Sequence, residues 1–254
     1  MTSQTPPGPP PARPDVRLSA RGLVHRFGTT TALAGVDVDL HDGEALAVMG
    51  PSGSGKSTLL HCLAGILVPA AGEVTLRGAP VSRLSDRERS LLRRRRFGFV
   101  FQFGQLLPEL PAQENVALPL LLLGVPRAEA VTRARQWLGW LGLGGMEERR
   151  PGELSGGQAQ RVAVARALVA GPEVVFADEP TGALDRATGA EVMRVLTGAT
   201  RAAGASLVVV THDEETAAWC GRRVEVRDGR LREAPRVHPS TTATPVVAAG
   251  GGAR

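Results

Sequence analysis

Lys56 is the only lysine in a chain of 254 residues. It lies in Gly50-Pro51-Ser52-Gly53-Ser54-Gly55-Lys56-Ser57-Thr58, which fits the phosphate-loop spacing G-x-x-x-x-G-K-[ST]. An arginine guanidinium is a planar fork, whereas a lysine ammonium is a compact charge on a flexible stem that reaches between two phosphates. A chain that otherwise takes its positive charge from arginine keeps its one lysine where that reach matters. The sequence therefore predicts nucleoside triphosphate binding.

Four further groups carry chemistry. The apolar run Val174-Val175-Phe176-Ala177 ends in Asp178-Glu179. Adjacent strand residues face opposite ways, so the two acids can take different jobs. Asp178 is placed to hold Mg²⁺ or its water, and Glu179 to polarise the water that attacks a γ-phosphate. Strand ends are often acidic, so the pair gains its meaning only behind a phosphate loop. Ser155-Gly156-Gly157-Gln158 precedes helical apolar spacing at Val162, Ala165, Ala167 and Leu168. A hydroxyl, two glycines and a helix start make a second anion-binding device; the plain alternative is an N-cap after a glycine turn. Gln102 follows Phe99-Val100-Phe101, Thr181-Gly182-Ala183-Leu184-Asp185 follows the acids, and Thr211-His212-Asp213 closes the apolar run at 207–210.

These residues need a scaffold, and the sequence sketches one. Residues 45–49 form a short apolar run into the glycine loop, and Leu59, Leu60 and Leu63 then recur with helical spacing up to Gly65. Strand, loop and helix in this order aim backbone N–H groups and a positive helix end at phosphate. The apolar runs at 99–101, 174–177 and 207–210 read as strands buried on both faces, as in a parallel sheet. Residues 16–45 and 72–77 alternate and carry turn signals, which predicts an antiparallel lobe. Between 103 and 169 the spacing is helical, with Val131, Ala134, Leu138 and Leu141 on one stripe, and Trp137 and Trp140 expected to pack beside it.

Composition narrows the classes. Hydrophobic residues are 43% of the chain, enough for a sizeable core, while the net charge of +5 and 4% aromatics do not favour a nucleic-acid partner. Cys62 and Cys220 have no metal-ligand spacing and read as small buried hydrophobes. No basic start followed by an apolar segment marks a signal peptide, and the longest apolar run, 116–123, falls short of the ~20 residues of a membrane span. The arginine run 93–96 reads as a solvated basic face. Residues 1–14 hold six prolines and the chain loses periodicity from Glu233, so 1–15 and 233–254 are expected to be disordered tails around a folded unit at 16–232.

Taken together, the motifs over about 18–232 resemble the nucleotide-binding domain of ATP-binding cassette (ABC) proteins in order and spacing. The resemblance implies an α/β fold: a P-loop NTPase, RecA-like core with a parallel sheet, an antiparallel β lobe, and an inserted α-helical lobe at about 103–169. It implies ATP and Mg²⁺ as cofactors. Lys56, Gln102, Glu179 and His212 would serve catalysis, and Ser57, Gln102 and Asp178 the metal. The nucleotide would meet Gly50, Pro51, Ser52, Gly53, Ser54, Gly55, Lys56, Ser57 and Thr58, with Phe27 stacking on adenine where the family usually has tyrosine. Ser155, Gly156, Gly157, Gln158 and Asp185 would serve a nucleotide on a second copy, because in this family two domains meet head to tail.

Residues 93–103 and 106–116 are similar to lipoprotein-releasing and macrolide-export ATPases and their cell-division relatives. That implies an ATP-hydrolysing subunit working in export beneath a separate permease, as a homodimer or with a related ATPase. It would sit in the cytoplasm on the inner face of the membrane. The alternative within the group is a regulator of a cell-division or wall-remodelling complex. Phe103, Leu106, Leu107 and Leu110 would line the permease groove or pack the helical lobe. A soluble ATPase of DNA repair or translation calls for a coiled-coil insertion or second cassette, and a P-loop kinase calls for an acceptor site. The sequence has neither that insertion nor a second cassette, and its motif at Leu154–Gln158 disfavours the kinase.

Overall fold

The computed structural model describes residues 15–233. The expected tails lie outside the described residues, except for Asp15 and Glu233 at their inner edges; Glu233 closes a strand. Two sheets carry the fold. β1 (Val16–Phe27) pairs antiparallel with β2 (Thr30–His41) and, on its other edge, with β4 (Ala71–Leu76), which is extended by the short β5 (Ala79–Pro80). This is the expected antiparallel lobe.

The second sheet has the order β10-β9-β3-β8-β7-β6. β3 (Ala45–Met49), β6 (Phe97–Phe101), β7 (Val174–Asp178), β8 (Ser206–Val210) and β9 (Arg222–Arg227) run parallel, and β10 (Arg230–Glu233) closes one edge antiparallel. The continuous apolar runs of β3, β7 and β8 follow from burial on both faces, whereas β9 alternates arginine and glutamate with buried valine. Alternation then divides them between two cores. Leu46, Val48, Val174, Phe176, Val208 and Val210 point toward β1, β2, β4 and α1 (Lys56–Leu63). Ala47, Val175, Ala177, Leu207 and Val209 point toward the helices on the other side. One sheet thus fixes two lobes against a shared frame.

The helical lobe holds α3 (Ala112–Leu122), α4 (Arg127–Trp140), a single 3₁₀ turn at Pro151–Glu153 and α5 (Gly156–Leu168). Ala134, Leu138 and Leu141 are buried as the stripe requires, with Val131 half-buried against them. Trp137 packs on this core, but Trp140 is 70% exposed and meets only the edge of Trp137 at 5.2 Å, so the expected packing holds for one tryptophan and not the other.

α2 (Asp86–Arg96) starts from a capping box in which Ser85 and Glu88 satisfy each other's backbone N–H. Its arginine run is only partly a solvated face. Arg93 is half-buried and donates to the Gly65 carbonyl at 2.6 Å, and Arg96 pairs with Glu173 at 2.8 Å. α6 (Arg186–Ala202) and the single turn α7 (Glu214–Ala217) complete the fold. Cys62 and Cys220 are free and buried, and burial pushes both thiols up to about 12, which leaves them unreactive hydrophobes as expected.

Candidate active site

The phosphate loop is shaped by two close backbone approaches. Gly50 has φ +143, and a Cβ there would stand 2.2 Å from the Val226 carbonyl of β9; Gly55 has φ +107, and a Cβ there would stand 2.3 Å from the Ala32 carbonyl of β2. Only glycine meets both demands, the left-handed backbone and the missing side-chain volume. Gly55 caps α1, so the loop delivers its chain directly into a helix N-terminus. Pro51, Ser52 and Gly53 are exposed and leave their backbone accessible. Lys56 is 8% exposed, and its ammonium donates to the Gly50 and Pro51 carbonyls at 2.8 and 2.9 Å. The cation is therefore folded over the loop it serves. The Ser54 hydroxyl is buried without a hydrogen-bond partner on the same loop, while Ser57 is exposed and Thr58 half-buried on the first turn of α1.

The acids stand where β7 ends. Asp178 Oδ1 accepts from the Ser57 hydroxyl at 3.4 Å, which joins the loop to the strand. Burial raises the Asp178 carboxyl above the ordinary carboxylate range, against the opposing pull of Ser57. A partly desolvated carboxylate beside a hydroxyl is a hard-oxygen pair of the kind that suits Mg²⁺, which takes few protein ligands and leaves room for water and phosphate oxygens. The residues fit the metal the resemblance implies. Gln102 is placed less directly: its amide lies against Gly182, where a Cβ would be 2.7 Å from Nε2, and makes no hydrogen bond to Ser57 or Asp178.

Glu179 has φ +46, a left-handed conformation that carries strain in a residue with a side chain. Its backbone N–H donates to the Val210 carbonyl, and its carboxylate is gripped at both oxygens. His212 Nδ1 lies 2.7 Å from Oε1, and the Thr211 hydroxyl donates to Oε2 at 3.2 Å. Sequence order separates these residues by more than thirty positions; the parallel register of β7 with β8 brings them together.

The second anion device sits elsewhere. Ser155 is the N-cap of α5, and its capping box with Gln158 uses the Ser155 hydroxyl and the Gln158 amide oxygen on each other's backbone N–H. Ser155 and Gly156 are exposed. A Cβ on Gly157 would stand 2.4 Å from Thr188 Cγ2, and one on Gly156 would stand 3.0 Å from Leu184. Asp185 caps α6 by accepting from the Thr188 N–H at 3.0 Å. The structure thus gathers 155–158 with 184–188, not with the phosphate loop. Phe27 ends β1 opposite Thr30, 54% exposed, with its ring edge-on to His25 at 4.7 Å.

A groove of about 440 Å³ opens beside β6, between α2, α3 and α5, and is lined by Ile66, Phe97, Phe99, Phe101, Pro119 and Leu122 among others, with none of Phe103, Leu106, Leu107 or Leu110. Leu106 packs into the helical core, and Phe103 stands 74% exposed outside the groove. The segment after Gln102 is held by residues that the pattern did not single out. Gln160 donates to the Phe101 carbonyl at 2.8 Å, Arg166 to those of Gly104 and Gln105, and Asn115 to those of Leu107 and Leu110. A buried polar residue on an apolar helix face was the available signal for Gln160 and Asn115, but it names no partner.

Residues 33–182 match the family described as ABC transporter. The chain is 48% identical over 199 residues to the lipoprotein-releasing system ATP-binding protein LolD of Geobacter metallireducens, covering 78% of this chain and 88% of that one. It is 45% identical over 219 residues to the macrolide export ATP-binding/permease protein MacB of Nitrosomonas europaea, covering 84% of this chain but only about a third (33%) of MacB. Among solved structures, the dimeric, post-hydrolysis ATP-binding cassette MJ0796 bound to ADP and Pi superposes with a TM-score of 0.76 at 36% identity, covering 85% of this chain and 98% of that one. CbiO1 from Clostridium perfringens, part of the cbiONQ transporter complex, gives 0.79 at 30% identity, covering 86% and 87%. Phosphate loop, strand-end acids, capped glycine turn and parallel sheet agree with these likenesses: the chain belongs to the ABC transporter family and is an ATPase of its cassette type.

Proposed function

We propose that this chain is the motor subunit of an export or extrusion system, in which ATP clasps two copies together beneath a separate membrane permease. The observation that carries this reading is the separation of its two phosphate-binding devices. No hydrogen bond joins 155–158 to 50–58, and the capped turn packs instead on Leu184 and Thr188. A head-to-tail pair would bring each exposed Ser155 to the nucleotide on its partner's Lys56 loop, a closed two-fold arrangement. Lys56 and the loop N–H groups would bind the phosphates, and Glu179, oriented by His212, would accept a proton from the attacking water. Ser57 and Asp178, with Gln102, would hold Mg²⁺, which neutralises phosphate charge when bound. Phe27 would offer adenine a stacking face, and Asp185 would meet the facing copy.

The groove beside β6 supports a permease partner: its lining joins apolar side chains, among them exposed Ile66 and Leu122, with Arg93, Arg94 and Arg166, and it reaches Gln105 of the segment after Gln102. No described helix is long and apolar enough to cross a membrane, so attachment to the inner face of the membrane would come through that partner. Likeness to LolD and to the ATPase portion of MacB favours outward movement. Size measurement of Glu179→Gln tests the reading, since hydrolysis no longer separates the halves. A dimer with ATP and a monomer without it is the expected outcome; a monomer in both would overturn it.

A further inference from the structure

Glu179 is gripped from both sides, but only the His212 contact belongs to the roles assigned so far. The Thr211 hydroxyl reaches the other oxygen, and a count of protons fixes what it does. Thr211 is fully buried; its oxygen accepts from the Asp213 N–H at 3.1 Å, and its single proton goes to Glu179 Oε2 at 3.2 Å. The chain of contacts continues through Asp213. Its carboxylate accepts from the Thr216 hydroxyl at 2.6 Å and from the Thr216 N–H at 2.9 Å. Hydrogen bonding from Thr216 holds the Asp213 carboxyl below the usual carboxylate range, so it is an acceptor only. With the Thr216 proton committed, the 2.9 Å contact between Thr181 and Thr216 has one consistent direction: Thr181 donates. Every hydroxyl proton in the series then has a single destination. Thr181, Thr216 and Glu179 all border one cavity of about 540 Å³ that also contains Asp185.

We infer that Thr211 is a positioning residue for Glu179, and that the series Thr181–Thr216–Asp213–Thr211 ties the carboxylate to the 181–185 segment. Strain at Glu179 gives the tie a purpose. At φ +46 Glu179 departs from the strand's alternation although its N–H still reaches the Val210 carbonyl, so neighbours must fix the direction of its side chain. His212 is exposed and Thr211 buried, which makes Thr211 the rigid anchor of the two. The far end touches the segment whose Leu184 and following Thr188 lie against Gly156 and Gly157. Movement of the capped turn would therefore reach Glu179 through contacts within one chain.

This inference rests on the proposed role of Glu179, and the experiment separates the two. ATPase rates and nucleotide affinity are measured for Thr211→Val, Thr211→Ser and Thr181→Val, and for Thr211→Val combined with Glu179→Gln. Removing the anchoring bond should lower kcat about tenfold in Thr211→Val while affinity and KM stay within about twofold. Thr211→Ser should restore the rate, and the double variant should be no slower than Glu179→Gln alone, because there is no base left to aim. A wild-type kcat in Thr211→Val, no rescue by serine, or a further loss in the double variant would each overturn the inference. Should the buried valine prevent folding, Thr181→Val at the half-exposed end carries the test: about a threefold fall in kcat with unchanged melting temperature is expected, and a wild-type rate refutes the series. Full activity in Glu179→Gln would instead remove the role of Glu179 itself.

Discussion

The phosphate loop and the capped turn at 155–158, which the proposed function gives the same kind of ligand, are built by opposite means. In the loop, geometry is imposed from outside: the Val226 and Ala32 carbonyls crowd Gly50 and Gly55, and Lys56 is buried over the backbone. In the turn, geometry is local: Ser155 and Gln158 satisfy each other, the residues are exposed, and no cation stands among them. One device brings its own charge and rigid walls, while the other is a helix end with a hydroxyl. Under the proposed function the difference implies that nucleotide affinity would reside in the first, and that the second would complete a site whose charge is already balanced.

Breaking the division most sharply, Ser155→Arg should abolish turnover while ATP binding to a single copy stays unchanged. Isothermal titration beside a phosphate-release assay checks both halves of that expectation, and a parallel loss of affinity would merge the two devices into one. Lys56→Ala should weaken ATP binding about ten- to a hundredfold, the loss of a charge-assisted contact; equal affinity would move the charge balance elsewhere. Gly55→Ala should destabilise the fold by more than about 1 kcal/mol, because alanine would have to adopt φ +107 against a carbonyl. Thermal unfolding measures this, and an unchanged midpoint would mean the loop is not walled as described. Smallest is Ser155→Ala, which should cost about 1 kcal/mol as a lost N-cap. If its effect on melting matched that of Gly55→Ala, the contrast between local and imposed geometry would be too strong.

The two regions also differed in how far they could be read ahead. The loop, the acids and the capped turn were legible because each is a short run whose chemistry depends on neighbouring residues. Continuous apolar runs at 174–177 and 207–210 announced strands buried on both faces. Phe103, Leu106, Leu107 and Leu110 left two readings open, because residue type alone does not say whether an apolar side chain lines a cleft or packs the helical lobe. Which apolar side chain faces a cleft depends on how α2, α3 and α5 stand around β6, and no local pattern encodes that arrangement. Trp140, 70% exposed, shows the same limit: a helical stripe gives a direction but does not say how closely a neighbour will cover it.

The sequence by itself determined the chemistry available: one lysine in a glycine loop, two carboxylates at a strand end, a serine before two glycines, and a histidine after an apolar run. Each of these is a property of adjacent residues, governed by backbone sterics and side-chain type. Tertiary structure alone decided which of them meet. The register of β7 beside β8 put Thr211 and His212 on Glu179, and the packing of α5 on α6 set the capped turn against Leu184 and Thr188 instead of the phosphate loop. Such contacts depend on the summed burial of two cores about one sheet, and no short segment contains that sum.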